Sequence, residues 1–299
     1  MNESVVHLSG SLVGPADASV SCFDRGFLYG DGVYEGLRTL DGRIVGERAH
    51  VERLRAGLAE ARISGFEPES LVHQTHELLA ANGIEGEAFV YWQVTRGTPL
   101  PLMGARRRVP DPSVPPTVFG YAERVRSVAP DDPIPTRAAI VVDDKRWTRG
   151  HLKATSLLGG VISAIEAHEQ EADEAIFVRD GVVTEATATN IFVRTGDRIV
   201  TPPLGDGFLL GGVTRMLLLR AAPEIEERPV SLDELLGADE VILVGTRTML
   251  ARVETIAGRS VGTGPGRARE LRSRLIDEIA RDVERSTPPT NSKGAPAHV

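Results

Sequence analysis

The segment Arg126 to Pro135 sets Pro130, Pro133 and Pro135 among acidic residues, in a chain that elsewhere alternates strand-like and helix-like patterns. Proline at that density neither extends a helix nor donates to a sheet, so the segment predicts a linker between two domains. A chain of 299 residues is long enough for each to have its own core. The expected organisation is a small N-terminal α/β domain over 1–125, a linker over 126–136, a larger C-terminal domain over 137–285 and a disordered tail over 286–299. The implied fold class is two-domain α/β (α+β).

In the first half, apolar residues alternate from Val5 to Val13 around Ser9-Gly10, as in a short hairpin. A glycine-punctuated loop from Phe23 leads into a strand whose alternation puts Tyr34, Gly36 and Arg38 on one face. A ring, a gap and a guanidinium in a row would suit an anionic group; the competing reading is an edge strand with a solvated arginine. Glu47 to Ile63 has helical spacing with Val51, Leu54 and Leu58 as its apolar stripe, and Pro68 opens a second helix ending near Asn82-Gly83. His73 and His76 on that helix have no evident third partner, so they read as surface histidines and no metal is expected. Ala88 to Thr95 and Thr117 to Glu123 read as strands, and the long loop Gly97 to Arg108 between them has neither period.

Beyond the linker, Ala138 to Val142 reads as a buried strand and Ser156 to Glu169 as a helix. Glu174 to Val178 and Val182 to Glu185 predict a hairpin, and the polar connector Ala186 to Asn190 leads into a strand, Ile191 to Arg194. Gly211-Gly212-Val213-Thr214 opens an apolar helix, whose first amides would face an anion at the positive end of the helix dipole. The strand Glu240 to Val244 ends in Gly245-Thr246-Arg247-Thr248, and Gly266 to Arg285 has the pattern of an exposed amphipathic helix.

Only three of the 34 Lys and Arg residues are lysines: Lys145, Lys153 and Lys293. Arginine serves wherever charge alone is needed, whereas lysine can lose its proton and act as a nucleophile or base. Lys145 lies in a charged loop and Lys293 in a polar tail, but Lys153 lies among Leu152, Leu157 and Leu158, where burial would favour the free amine. The alternative is a lysine whose head snorkels to water. A net charge of −8 argues against nucleic-acid or anionic-membrane partners. The single cysteine, Cys22, cannot form an internal disulfide, and the N-terminus lacks a basic, apolar leader, so a cytoplasmic location is expected.

A lysine suited to a Schiff base, a carboxylate (Glu185) leaving a hairpin strand, Arg53 in the first half and hydroxyl-and-amide corners at Thr214 and Thr246 meet the needs of one cofactor, pyridoxal 5′-phosphate (PLP). At Asp24-Arg25-Gly26 with Tyr29 to Glu35, at His50 to Leu54, and at Thr184 to Phe192, the sequence resembles the class IV aminotransferases of PLP fold type IV. The resemblance extends from about Val5 to Val261. It implies two α/β domains with the cofactor between them, in a homodimer. It also implies Lys153 as the Schiff-base lysine, Glu185 at the pyridine nitrogen, Arg53, Val213, Thr214 and Thr246 at the phosphate, and Thr189, Asn190 and Leu210 around the cofactor.

Within the family the chain is most similar to D-amino acid aminotransferases, yet Leu100, Pro101, Leu102 and Met103 stand where their carboxylate-binding Arg and His are expected. Tyr34 to Arg38 instead resembles branched-chain aminotransferases, although Tyr91 replaces a second arginine of theirs and Leu158 replaces a tyrosine near the ring. Tyr34, Arg38, Tyr91 and Arg247 are therefore the expected substrate-binding residues, with Arg38 or Arg247 meeting the carboxylate. The expected activity is transfer of an amino group from a D-amino acid to 2-oxoglutarate or pyruvate, with (R)-amines as further donors. The alternatives are a branched-chain L-amino acid aminotransferase, an aminodeoxychorismate lyase and a non-catalytic binding module.

Overall fold

The computed structural model describes residues 4–99, 106–205, 207–262 and 266–289. The chain forms two compact units, Met1–Ser127 with Lys153–Ser156 and Asp282–Val299, and Val128–Leu152 with Leu157–Arg281.

In the first unit, the expected hairpin is β1 (Val6–Leu8) and β2 (Ser11–Val13). It is followed by a short helix α1 (Arg25–Tyr29), β3 (Gly32–Leu40), β4 (Arg43–Ile44), α2 (Glu47–Ala61), α3 (Ser70–Ala81), β5 (Ala88–Thr95) and β6 (Thr117–Arg124). The strands form an antiparallel sheet in the order β2-β1-β6-β5-β3-β4. Alternation sorts their side chains. Val33, Leu37, Val90, Trp92 and Val94 are buried with Leu54 and Leu58 of α2 and Leu71 and Leu78 of α3. The Trp92 indole has room because Gly120 carries no Cβ, which would lie 2.5 Å from the ring, and its N–H donates to Thr75 Oγ1 at 2.9 Å. Tyr34, Tyr91, Tyr121 and Phe119 line the opposite, half-buried face.

The second unit contains β7 (Thr136–Asp143), α4 (Leu158–Glu169), β8 (Glu174–Arg179), β9 (Val182–Ala186), β10 (Asn190–Thr195), β11 (Arg198–Thr201) and α5 (Val213–Ala221). It continues through β12 (Glu226–Glu227), α6 (Leu232–Leu236), β13 (Glu240–Gly245), β14 (Met249–Ile256), β15 (Arg259–Ser260) and most of α7 (Ala268–Val283). Its sheet runs β12-β11-β10-β13-β14-β7-β8-β9, with β15 on β14. Pairs β11/β12, β14/β7 and β7/β8 are parallel and the rest antiparallel. The core joins Ile176, Val183, Ile191, Val193, Val241, Leu243 and Val253. Arg272 of α7 is buried and donates to the carbonyls of Pro130, Asp132 and Pro133, so the proline-rich stretch is pinned by one guanidinium.

Several expectations change. Helix α4 begins two residues later than its pattern suggests, because the Thr155 and Ser156 hydroxyls donate to Gly30 O at 3.0 Å. Helix α7 is not simply exposed, since Leu271, Leu275 and Ile279 are buried. The tail was expected from Ser286, yet Ser286 Oγ donates to Ile44 O at 2.7 Å and Thr287 is bonded to Glu47. Residues 290–299 and the expected loop residues Leu100, Pro101, Leu102 and Met103 lie outside the described residues. His73 is exposed as expected, but His76 is 5 % exposed.

Candidate active site

In the first unit, the Lys153–Ser156 segment lies against the start of β3. Tyr34 N donates to Lys153 O at 2.9 Å and Thr155 N to Gly32 O at 3.0 Å, with a bridge between Val33 and Ala154. This pairing fixes Lys153 beside Tyr34, its Nζ 4.1 Å from the ring centroid, a cation–π distance. The lysine is half-buried, but its expected apolar surroundings differ: Leu157 and Leu158 are 47 % and 71 % exposed. Tyr34 lies 5.6 Å from Tyr91, whose hydroxyl is pushed up by burial and by Tyr34 and Tyr121.

The next residue, Glu35, points to the buried face. It accepts from Arg53 Nε at 2.8 Å and Nη2 at 2.6 Å and lies 2.7 Å from His50 Nδ1. Burial alone would raise this carboxyl, but Arg53 and His50 outweigh it and hold it at about 2. His50 is lowered, chiefly by burial, and the Lys153 charge adds in the same direction.

Upstream motif residues hold this arrangement. Asp24 caps α1 by accepting from Gly26 N at 2.7 Å, and it also accepts from the Thr95 and Thr117 hydroxyls at 2.8 and 2.6 Å. Arg25 and Arg96 both pair with Asp31 at 2.8 Å, just before β3 begins. A Cβ on Gly26 would lie 2.3 Å from Thr95 Cγ2, so only glycine fits there. Arg38, expected to meet a carboxylate ligand, is instead bonded to Glu87 and donates to Arg126 O at 2.9 Å. Its charge is committed to the unit's own framework.

In the second unit, Glu185 on β9 accepts from Arg146 Nη1 at 2.7 Å and from Leu210 N at 3.0 Å. Arg146 also pairs with Asp144 at 2.9 Å and lies 3.9 Å over the Phe177 ring. Burial favours protonation of Asp144, but Arg146 and Arg179 more than offset it and lower its pKa. Breaking this buried network by Arg146→Met is expected to destabilise the fold by about 3 kcal/mol, measured by urea unfolding. An unchanged midpoint would show that the two carboxylates find other partners.

Asn190 Nδ2 donates to Leu210 O at 2.8 Å, so Leu210 is bonded to both Glu185 and Asn190. Gly212 follows as the N-cap of α5, with no side-chain cap; a Cβ there would lie 2.0 Å from Asn190 Oδ1. This leaves the first amides of α5, at Val213 and Thr214, as uncapped donors. Thr189 is buried and packs on Gly245, which brings the turn carrying Thr246 beside the start of β10. Arg247 is exposed on the same turn. Sequence reasoning missed Arg146, Asp144 and Glu35; charge alone did not single them out.

These groups fit PLP in type. The first unit offers an amine at Lys153 and a cation at Arg53. The second offers a carboxylate at Glu185, amide donors at the start of α5 and hydroxyls at Thr214 and Thr246. Among the described residues no group of three or more His, Cys, Asp or Glu is placed to hold a metal, and no helix is long and apolar enough to cross a membrane.

Comparison with known proteins agrees with this chemistry. The amino-transferase class IV family matches residues 32–256. D-alanine aminotransferase of Bacillus licheniformis is 33 % identical over 289 residues, covering 93 % of this chain and 99 % of that one. The Staphylococcus haemolyticus D-alanine aminotransferase is 31 % identical over 264 residues, covering 87 % and 91 %. Among solved structures, the branched-chain aminotransferase of Thermoproteus uzoniensis with norvaline superposes with a TM-score of 0.80 at 26 % identity, covering 95 % of this chain and 98 % of that one. The chain, with its α/β fold of type IV, thus belongs to the class IV aminotransferases, the PLP-dependent enzymes that transfer amino groups between amino and keto acids.

Proposed function

We propose that this aminotransferase takes its amino group from a D-amino acid and passes it to 2-oxoglutarate or pyruvate. The observation that carries the reading is the near full-length similarity to D-alanine aminotransferases. When bound, PLP supplies a conjugated ring that accepts the electron pair left as the substrate Cα–H bond breaks. Lys153 Nζ takes that proton and returns it, kept beside Tyr34 by the pairing of its own main chain with β3. Glu185, oriented by Arg146 and the Leu210 amide, would hold the pyridine nitrogen. Arg53, the α5 amides at Val213 and Thr214, and Thr246 would hold the phosphate, and Thr189, Asn190 and Leu210 would border the cofactor. Tyr34 and Tyr91 would form the substrate wall, with Arg247, exposed on the turn that carries Thr246, as the proposed carboxylate contact.

A branched-chain L-amino acid reading is favoured by one observation, the likeness to the norvaline-bound enzyme. Loss of the cofactor's visible absorbance with D-alanine, L-leucine or (R)-1-phenylethylamine, each added alone, separates the readings. Fast loss with D-alanine supports ours; loss with L-leucine only replaces it.

The working unit is proposed to be a homodimer in the cytoplasm. Helix α4 exposes Leu158, Val161, Ile162 and Ile165 by 48–71 %, at spacings that line up along one face. Ile162→Glu is expected to convert the dimer to monomer in light scattering at micromolar concentration. A dimer that persists would place the interface elsewhere.

A further inference from the structure

The sheet face of the first unit that carries Tyr34 also carries a carboxamide. In register, Tyr34 lies opposite Gln93 of β5, and Gln93 opposite Phe119 of β6. Two residues along, Gly36, Tyr91 and Tyr121 form the next row. Strand alternation turns all six positions to one side. Lys153 Nζ lies 4.1 Å from the centroid of the Tyr34 ring, so the amine proposed to react stands at the head of the row that contains Gln93.

The orientation of that carboxamide is fixed by its neighbour. The Tyr91 hydroxyl donates to Gln93 Oε1 at 2.9 Å, its one hydrogen bond among the described residues. A phenol that donates claims the oxygen end of the amide and turns the NH2 group away. Burial keeps the Tyr91 proton in place. Gln93 Nε2 donates to no described residue and is not a buried orphan, since Gln93 is half-buried and keeps contact with solvent. Two N–H donors are thus held, accessible and unused, beside the ring that carries Lys153. Arg38, the cation of this face, is bonded to Glu87, so the free donor here is a neutral one.

We propose that Gln93 determines specificity in the transamination site, its Nε2 donating to an oxygen at the end of the substrate side chain. This rests on the reading that Lys153 is the reacting amine. Tyr34 and Gln93 stand one cross-strand step apart, about 5 Å. Two methylenes and a carboxyl group span that step, and the methyl group of pyruvate does not. Of the two proposed acceptors, 2-oxoglutarate is therefore the preferred one. Because the donor is neutral, a terminal carboxamide is accepted as well as a carboxylate. Tyr91 is a positioning residue, acting through the amide it orients.

The test compares 2-oxoglutarate with 2-oxohexanoate, a keto acid of similar length that has no terminal oxygen. Each is mixed with enzyme carrying the aminated cofactor, and the return of visible absorbance gives a second-order rate constant. The parent should prefer 2-oxoglutarate at least about ten-fold. Gln93→Met should lower that ratio about ten-fold and Tyr91→Phe about three-fold. A purely structural role would slow both substrates and leave the ratio where it was. Gln93→Glu presents an acceptor in place of the donor, so it should raise the ratio of glutamine to glutamate as amino donors about ten-fold, both enantiomers of each being tried. Binding without turnover is read from the side-chain amide NMR signals of Gln93, which should shift saturably with glutarate and not with hexanoate. Equal rates for the two keto acids in the parent, an unmoved ratio in Gln93→Met, or no shift with glutarate would overturn the proposal. Keto acids have no handedness, so a donor that proves to be an L-amino acid leaves the test intact. If neither keto acid is converted, the transamination reading fails and this proposal with it.

Discussion

Lys153→Ala is expected to lower transamination by about 10⁴-fold or more, because it removes the amine proposed both to anchor the cofactor and to move the proton. The fold should be retained. The contacts that place this residue are made by its carbonyl, which accepts from Tyr34 N, and by the hydroxyls of Thr155 and Ser156, and alanine alters none of them. Turnover of D-alanine with 2-oxoglutarate in the presence of added PLP, alongside a thermal melt, measures both parts. Residual activity within ten-fold of the parent would remove Lys153 from the chemistry. A collapsed melt would mean that the side chain itself holds the segment on β3.

Glu35→Gln is expected to destabilise the protein by about 3–5 kcal/mol at pH 7, since it leaves the Arg53 guanidinium without its buried counter-charge. The effect should depend on pH in a defined direction. The folded Glu35 carboxyl titrates at about 2, below its ordinary 4.5. Its contribution is therefore complete above about pH 4.5 and is lost as pH falls toward 2, and the shift corresponds to about 3 kcal/mol. His50, lowered by burial, acts in the same direction but begins to lose stability below its ordinary 6.5. Urea melts of parent and variant between pH 3 and 7 should converge as the pH drops. A constant difference would show that Glu35 is not the group being titrated. Because Arg53 is proposed to meet the cofactor phosphate, PLP affinity should weaken in the same variant.

The strands were legible where one face is buried and the other is not. Ala88 to Thr95 could be read from its aromatic and β-branched residues and is β5. Strand β14 was not read, because Arg252 and Glu254 interrupt the apolar pattern and the strand opens with Met249 at φ 55°. The N-terminal motif was recognised, but what Asp24 and Arg25 do was not, since their partners Thr95, Thr117 and Arg107 come some 70 to 90 residues later. The same distance misled the reading of Arg38: Glu87 lies 49 residues away, and nothing local marks it as a partner. His76 looked superficial for a related reason, because its burial depends on the packing of α3 near Gly42 and not on helix spacing. Chemistry carried by residue type, such as a rare lysine or a glycine pair before a helix, was easier to read than chemistry carried by a distant counter-ion.

The four residues Lys153–Ser156 belong by contact to a unit whose preceding segment ended at Ser127, while the chain on either side of them belongs to the other. A gene fragment ending at Ser127 would therefore encode a β3 that lacks the four-residue segment bonded to its start. A fragment beginning at Val128 would carry Lys153 without the Tyr34 ring beside it. A cut at the Ser127–Val128 junction therefore parts β3 from its partner segment, and a circular permutant would have to leave the stretch from Leu152 to Leu157 unbroken to keep Lys153 beside Tyr34.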